Sequence, residues 1–282
     1  MVGGALSRGL AVLEVLAASP NGGSVQRVAD TLDLPKSAAH RILANLVEDG
    51  YARQDPATGE YRLTLRLVSL ALRHLADNTL VGLARPVLDR LAGSSGELVR
   101  LSLVDGDGLV WVAKAQGATA GLKYDPDPGA RARLSCTANG LAWLSGFPDE
   151  RALQLMLRQG LAGPGTFGPN APATIEDFLD RLRQTRGQGY ACVVDSFEAG
   201  ASAIAMPVVS RVGGDTVGVL SIAGPSVRFT VDRMLSLVPS LRHACAELAG
   251  VGLDGTVRPF GDSVGRTVNS MHATADAPGG PE

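Results

Sequence analysis

The sequence is poor in aromatic rings, poor in cysteine and without a surplus of charge. Phe, Tyr and Trp make up 4% of its 282 residues, so any core must close on Leu, Val and Ala rather than on large rings. The three cysteines, Cys136, Cys192 and Cys245, lie far apart with no C-x-x-C pair. That spacing excludes a disulfide framework or a zinc ribbon and predicts buried free thiols; neither metal nor cofactor is expected. No apolar run approaches about 18 uninterrupted residues, so no membrane partner is expected. The opening MVGGALSRGLAVLEVLAAS is amphipathic and broken by Glu14. It reads as a helix rather than a signal peptide, and a cytoplasmic location is the expectation.

Lys and Arg number 26 against 28 Asp and Glu, a net charge of -2, so the chain is no polycation. Its first 75 residues hold eight basic side chains against seven acidic ones, and the remainder 18 against 21. An asymmetry this weak argues nothing alone; a case for nucleic acid must rest on where the charges sit.

Catalytic patterns are also missing. There is no G-x-S-x-G, no H-E-x-x-H and no phosphate loop, and the histidines are His40, His74, His243 and His272. Ser135-Cys136-Thr137 offers two hydroxyls and a thiol with no histidine in pattern, so they read as caps for a helix opening near Ala138. An enzyme is not expected. The alternatives are an enzyme using Ser135 or Cys136 with an incidental helix-turn-helix, and a dimerisation adaptor without a ligand.

What is present lies first in residues 1–75. Ser7 is placed to cap a helix with Leu10, Leu13, Leu16 and Ala17 on one face, and SPNGG stops it. Ser24 caps a second helix whose inward stripe is Val25, Val28, Ala29 and Leu32. Pro35 opens a third, with Ala39, Ile42, Leu43 and Leu46 facing inward. Two short helices joined by a tight turn make a helix-turn-helix.

The outward face of that third helix carries Lys36, Ser37, His40, Arg41 and Asn45. Lys and Arg neutralise phosphates, while Arg and Asn can bond guanine and adenine edges in pairs. Gly50 stops the helix, and YARQ and EYRL then read as two strands around a turn-rich loop, a wing carrying Arg53 and Arg62. Thr64 caps a further helix, LRLVSLALRHLA, apolar around most of its circumference, which predicts a linker that packs against a second subunit, is buried between the two domains, or both.

From Thr79 the pattern restarts. A helix around 80–91 leads to a hairpin, LVRLSLV and LVWVAKA, about Asp105-Gly106-Asp107-Gly108. Strands are predicted near 189–195, 201–210 and 216–224, helices at 138–146, 149–159 and 174–187, and one long helix from Thr230 to about Leu248. Such a series gives an α+β domain with a mainly antiparallel sheet, followed by a Gly- and Pro-rich tail.

Taken in order, SRGLAVLEVLA, LDLPKSAAHRILANLVEDGY, TGEYRLTLRLVSLA, RGQGYACVVDSFEAGASAIAMPV and GVLSIAGPSVRF resemble the IclR family of bacterial transcription regulators over about residues 5–250. The resemblance implies a winged helix-turn-helix in 1–63, a linker helix in 64–77, a GAF-like effector-binding and oligomerisation domain in 78–250, and a flexible tail in 251–282. It implies a sequence-specific regulator, with repression the expected sign, on palindromic double-stranded DNA as a homodimer or homotetramer. A small-molecule effector would modulate it from a pocket that, by position, includes Ala132, Ala138, Asn139, Gly140, Val193, Ala201 and Ala203. Backbone N–H groups near Asn139 would hold an oxygen of that effector.

The chain departs from the family where members that bind small oxo-acids carry an acidic residue, a cysteine and often a lysine. Here those positions are Val193, Ala203 and Leu141. The departure predicts a roomier, more apolar pocket, suited to an aromatic or longer acyl compound with one polar end.

Overall fold

Residues 4–19, 21–76, 80–124, 131–163 and 165–250 are described by the computed structural model, and they fall into two units that divide between residues 78 and 79. The predicted tail, 251–282, lies outside the described residues.

The first unit follows the apolar stripes: α1 (Ala5–Ala17), α2 (Val25–Leu32), α3 (Lys36–Glu48), β1 (Ala52–Gln54), β2 (Tyr61–Leu63) and α4 (Arg66–Ala76). Its core is Val12, Leu16, Val28, Ala29, Ala39, Leu43, Ala52 and Tyr61. The Ser24 hydroxyl accepts the Arg27 N–H at 3.1 Å, capping α2 as expected. Ser7 does not cap α1. That helix starts earlier, at Gly4, which takes the cap position without any side-chain bond and leaves Ser7 inside the helix. Asp33 adopts a left-handed conformation (φ 51°) after α2, and the Leu34 N–H bonds the Ala29 carbonyl at 2.9 Å. Pro35 then sets the first turn of α3. Gly50 (φ 75°) reverses the chain, so the Tyr51 N–H reaches back to the Leu46 carbonyl at 2.8 Å.

In the second unit, α5 (Leu80–Ser95) precedes the hairpin β3 (Leu98–Asp105) and β4 (Gly108–Gln116). Then come α6 (Ala138–Leu144), α7 (Asp149–Gln159), α8 (Ile175–Gln188), β5 (Ala191–Val194), β6 (Ala201–Val209), β7 (Thr216–Pro225), α9 (Val231–Ser236) and α10 (Val238–Gly250). The five strands form one sheet, ordered β4-β3-β7-β6-β5, with every pairing antiparallel.

Strand alternation gives the sheet two working faces. Val99, Leu101, Ile204, Met206, Leu220 and Ile222 meet α5 and α10 on one side. On the other, Trp111, Val193, Ala205 and Val219 meet α6 and α8. The second face also carries Arg100 and Ser102, polar residues interleaved with the apolar set of β3. The single long helix expected after Thr230 is two helices, broken at Leu237. Pro239 lacks an N–H and disfavours helical backbone in the residue before it, so the turn restarts there.

Candidate functional site

Two places gather polar chemistry: an exposed face in the first unit and a buried pocket in the second. Lys36, Ser37, His40, Arg41 and Asn45 are all exposed on α3, above the fully buried Ala39 and Leu43. At about 100° per residue, Ser37, Arg41 and Ala44 take the middle of the outward face, while Lys36 and Asn45 sit on opposite flanks. Arg41 and Asn45 lie on more than a plain solvent stripe. They also rim an apolar groove of about 520 Å3, lined by Leu6, Leu10, Ile42 and Leu70 among others.

The wing follows directly. In its register Arg53 faces Arg62, and like charges so opposed repel unless an anion joins them. The Arg62 stem lies against Gly22, where an added Cβ would stand 3.1 Å from its Cγ. The loop is fixed by the Asp55 carboxylate, which accepts the Ala57 N–H at 2.9 Å. N–H groups of Ala57 and Thr58 hold that carboxyl below its ordinary range, with Arg62 and Arg53 adding to the effect. One tie has no signature in local pattern: Gly23 and Tyr61 exchange backbone hydrogen bonds at 2.9 and 3.0 Å, pinning the wing to the α1–α2 connection.

In the second unit five of the seven expected effector positions line one pocket: Ala138, Asn139, Val193, Ala201 and Ala203. Strand register explains part of this, because Val193 pairs with Ala203 and Ala203 with Ala223, another lining residue. Ala132 and Gly140 are not among the lining residues. Ala132 is buried in the core, its N–H bonded to the Leu109 carbonyl at 3.0 Å. Gly140 packs on backbone, where a Cβ would stand 2.3 Å from the Leu134 carbonyl oxygen. The N–H groups expected to await a ligand at the start of α6 are partly taken as well. Thr137 accepts the Gly140 N–H on its hydroxyl at 3.0 Å and the Leu141 N–H on its carbonyl at 3.1 Å. Asn139 donates instead to the Ser102 hydroxyl at 2.9 Å, which anchors α6 to the middle of the sheet.

The residues that fill the pocket are ones the sequence reading passed over. Arg100 is 7% exposed, and its guanidinium lies 4.2 Å from the centroid of the Trp111 ring and 5.8 Å from that of Tyr124. Burial raises the Tyr124 phenol above its usual range; its hydrogen bond to Arg100 opposes this, and Glu198 nearby adds to it. Free volume comes to about 20 Å3, room for about one water. The expectation of a roomy apolar pocket is therefore corrected: small walls surround a space that an arginine and two rings already occupy. The period-2 pattern of LVRLSLV held the clue, with Arg100 and Ser102 sharing one face of a strand otherwise apolar.

Other chemistry resolves into structure. Ser135 accepts the Ala162 N–H at 3.0 Å, and burial pushes the Cys136 thiol up to about 11. A larger groove of about 580 Å3 runs between α5 and α10, but its polar groups engage one another: Glu247 pairs with Arg90 and lies 2.9 Å from His243 Nε2. Among the described residues no cluster of His, Cys, Asp or Glu could hold a metal ion, and no helix is long and apolar enough to cross a membrane.

Residues 5–56 match the IclR helix-turn-helix domain, and residues 72–249 match the bacterial transcriptional regulator IclR C-terminal domain. The HTH-type transcriptional repressor AllR of Escherichia coli (strain K12) is 27% identical over 245 residues, covering 87% of this chain and 89% of AllR. Among solved structures, an IclR transcriptional regulator from Alicyclobacillus acidocaldarius superposes with a TM-score of 0.74 at 21% identity, covering 87% of this chain and 97% of that one. An IclR homolog from Microbacterium hydrocarbonoxydans, complexed with 4-hydroxybenzoate, gives 0.71 at 24% identity over 89% and 99% of the two chains.

Proposed function

The chain belongs to the IclR family of bacterial transcriptional regulators, and from that premise we propose that it represses transcription at palindromic operators, under control of a small molecule held in the second unit. The observation carrying this reading is the exposed polar face of α3 followed at once by a hairpin with two opposed arginines. Ser37, His40, Arg41 and Asn45 face base edges in the major groove, while Lys36, Arg53 and Arg62 meet phosphates. Residues 1–63 form the DNA-binding part, 64–77 the linker helix and 78–250 the effector part.

A palindromic operator calls for a two-fold assembly, and a surface for it is at hand. Leu6 and Leu10 of α1 and Val68 and Leu70 of α4 are 77%, 52%, 49% and 40% exposed. Apolar side chains this open on two helices of one small unit favour burial against a second copy. The effector is an aromatic or acyl compound with one polar end, a reading supported by the rings in the pocket and by the ligand of the Microbacterium homolog.

Selection from random-sequence DNA by the purified protein tests the first claim. The expected product is a palindrome with half-sites about one or two helical turns apart. An unenriched pool would sink the proposal. Sedimentation of the Leu6→Lys/Leu10→Lys variant tests the second, with dissociation to monomers and weakened operator binding as the expected result.

A further inference from the structure

Arg100 is not placed as a surface arginine would be. It projects from β3 onto the face that α6 covers, is 7% exposed, and lies 4.2 Å from Trp111 and 5.8 Å from Tyr124 by ring centroids. A planar cation against two rings gains electrostatic and stacking attraction. Here it also consumes the pocket, leaving about 20 Å3. Ala138, Ala201, Ala203 and Ala223 around it are small. The scaffold thus makes a space, and one long, rotatable side chain fills it. On the same wall the Trp111 Nε1 is buried and has no hydrogen-bond partner among the described residues, a donor whose desolvation is so far uncompensated.

We infer that Arg100 is both the plug and the counter-ion of the effector site, and that the effector is a planar arenecarboxylate which takes the guanidinium's place against Trp111. Two costs select this class. Moving the guanidinium off the rings forfeits its cation–π attraction and its hydrogen bond to Tyr124, and a carboxylate that accepts two parallel N–H bonds makes good both losses where a neutral group does not. Uncovering the indole face is made good by another flat π-system rather than a flexible chain. This inference rests on the pocket being the effector site, as proposed above.

Calorimetric titration of the purified full-length protein with benzoate and with benzamide, its neutral isostere, tests it. The wild type should prefer benzoate by about tenfold to a hundredfold, the range of a charge-assisted hydrogen bond. Arg100→Ala removes plug and counter-ion together, so benzoate should weaken while benzamide tightens, a pair of opposite shifts that simple loss of structure cannot produce. Arg100→Lys keeps charge without the flat fork and should retain a smaller preference. Benzoate should quench tryptophan fluorescence in the wild type and fail to do so in Trp111→Phe. Circular dichroism and melting curves verify that each variant is folded.

Unchanged benzoate affinity in Arg100→Ala, or a parallel fall for both probes, would overturn the inference. Binding of hexanoate in preference to benzoate, indifferent to Arg100→Ala, would overturn it while leaving the effector site standing. A wild type stabilised by no member of a wider panel of small acids, amides and alcohols would remove the effector site itself.

Discussion

The first unit wears its chemistry outside a core of eight buried side chains, whereas the second keeps its own between a sheet and a helix. On α3 the charged and polar groups remain solvated until a partner arrives, so they cost the fold little and can be supplied by residue type and spacing alone. Arg100 has no such latitude. A buried guanidinium persists only where rings and hydrogen bonds replace its lost water, so Trp111 and Tyr124 had to be placed with it. The exposed site is specified by its composition, and the enclosed one by its surroundings.

The contrast can be tested one unit at a time. The largest effect is expected from Leu43→Ala, which should cost roughly 2–5 kcal/mol in the small core and abolish operator binding at growth temperature. The thermal transition of the second unit should stay in place; a common shift of both transitions would show that the units do not unfold separately. Next, Glu97→Ala removes the partner that accepts two bonds from Arg228 at 2.6 and 2.8 Å. Glu97 is buried and the Arg228 side chain 36% exposed, so a loss of about 2–3 kcal/mol, confined to the second transition, is expected in melting curves.

On the DNA side, Arg41→Ala should cost about 1–3 kcal/mol on the selected operator and little on random sequence. Arg53→Ala should weaken both alike and reduce the salt slope by about 1. Equal behaviour of the two variants in titrations over a salt series would erase the division into base and phosphate contacts. Smaller again, Ser24→Ala and Thr137→Ala each delete a helix cap, one taken from each unit, and each should cost about 1 kcal/mol in its own transition only.

The last difference vanishes at neutral pH. All three cysteines lie in the second unit, where burial pushes Cys136 and Cys192 up to about 11 and Cys245 up to about 12. Above about pH 9 the unfolded chain sheds these protons while the folded unit still holds them. Stability of the second unit is therefore complete below pH 9 and falls as pH climbs toward 11 and 12. The first unit has no cysteine and lacks this contribution. Melting curves from pH 7 to 10.5, repeated with Cys245→Ala, should show the slope in one transition and its reduction in the variant.

How far the sequence reading reached follows the same division. The stripes of α2 and α3, the Ser24 cap and the Gly50 stop were all readable, because each is set by neighbours within a turn or two. The tie between Gly23 and Tyr61 was not, since it joins residues 38 positions apart through backbone atoms that leave no side-chain signature. In the second unit the resemblance supplied Ala138, Asn139, Val193, Ala201 and Ala203, yet small residues at those positions suggested empty space. What occupies the space comes from β3, β4 and the segment after it, and only the fold brings Arg100, Trp111 and Tyr124 to one point. The break at Leu237 has a local signal in Pro239 that the expectation of one long helix left unused.

Gly140, pressed against the Leu134 backbone with 2.3 Å for any added carbon, has a consequence for how this protein can change over generations. Every missense change at a glycine codon adds at least a Cβ, so each would push α6 off the sheet and pull Asn139 from Ser102. Ala201 and Ala203 in the pocket wall, both only partly buried, meet no such backbone veto. A lineage can therefore drift in the walls of its pocket and acquire new ligands while position 140 stays fixed. A saturation library scored for folded protein would show this as one intolerant column next to permissive ones.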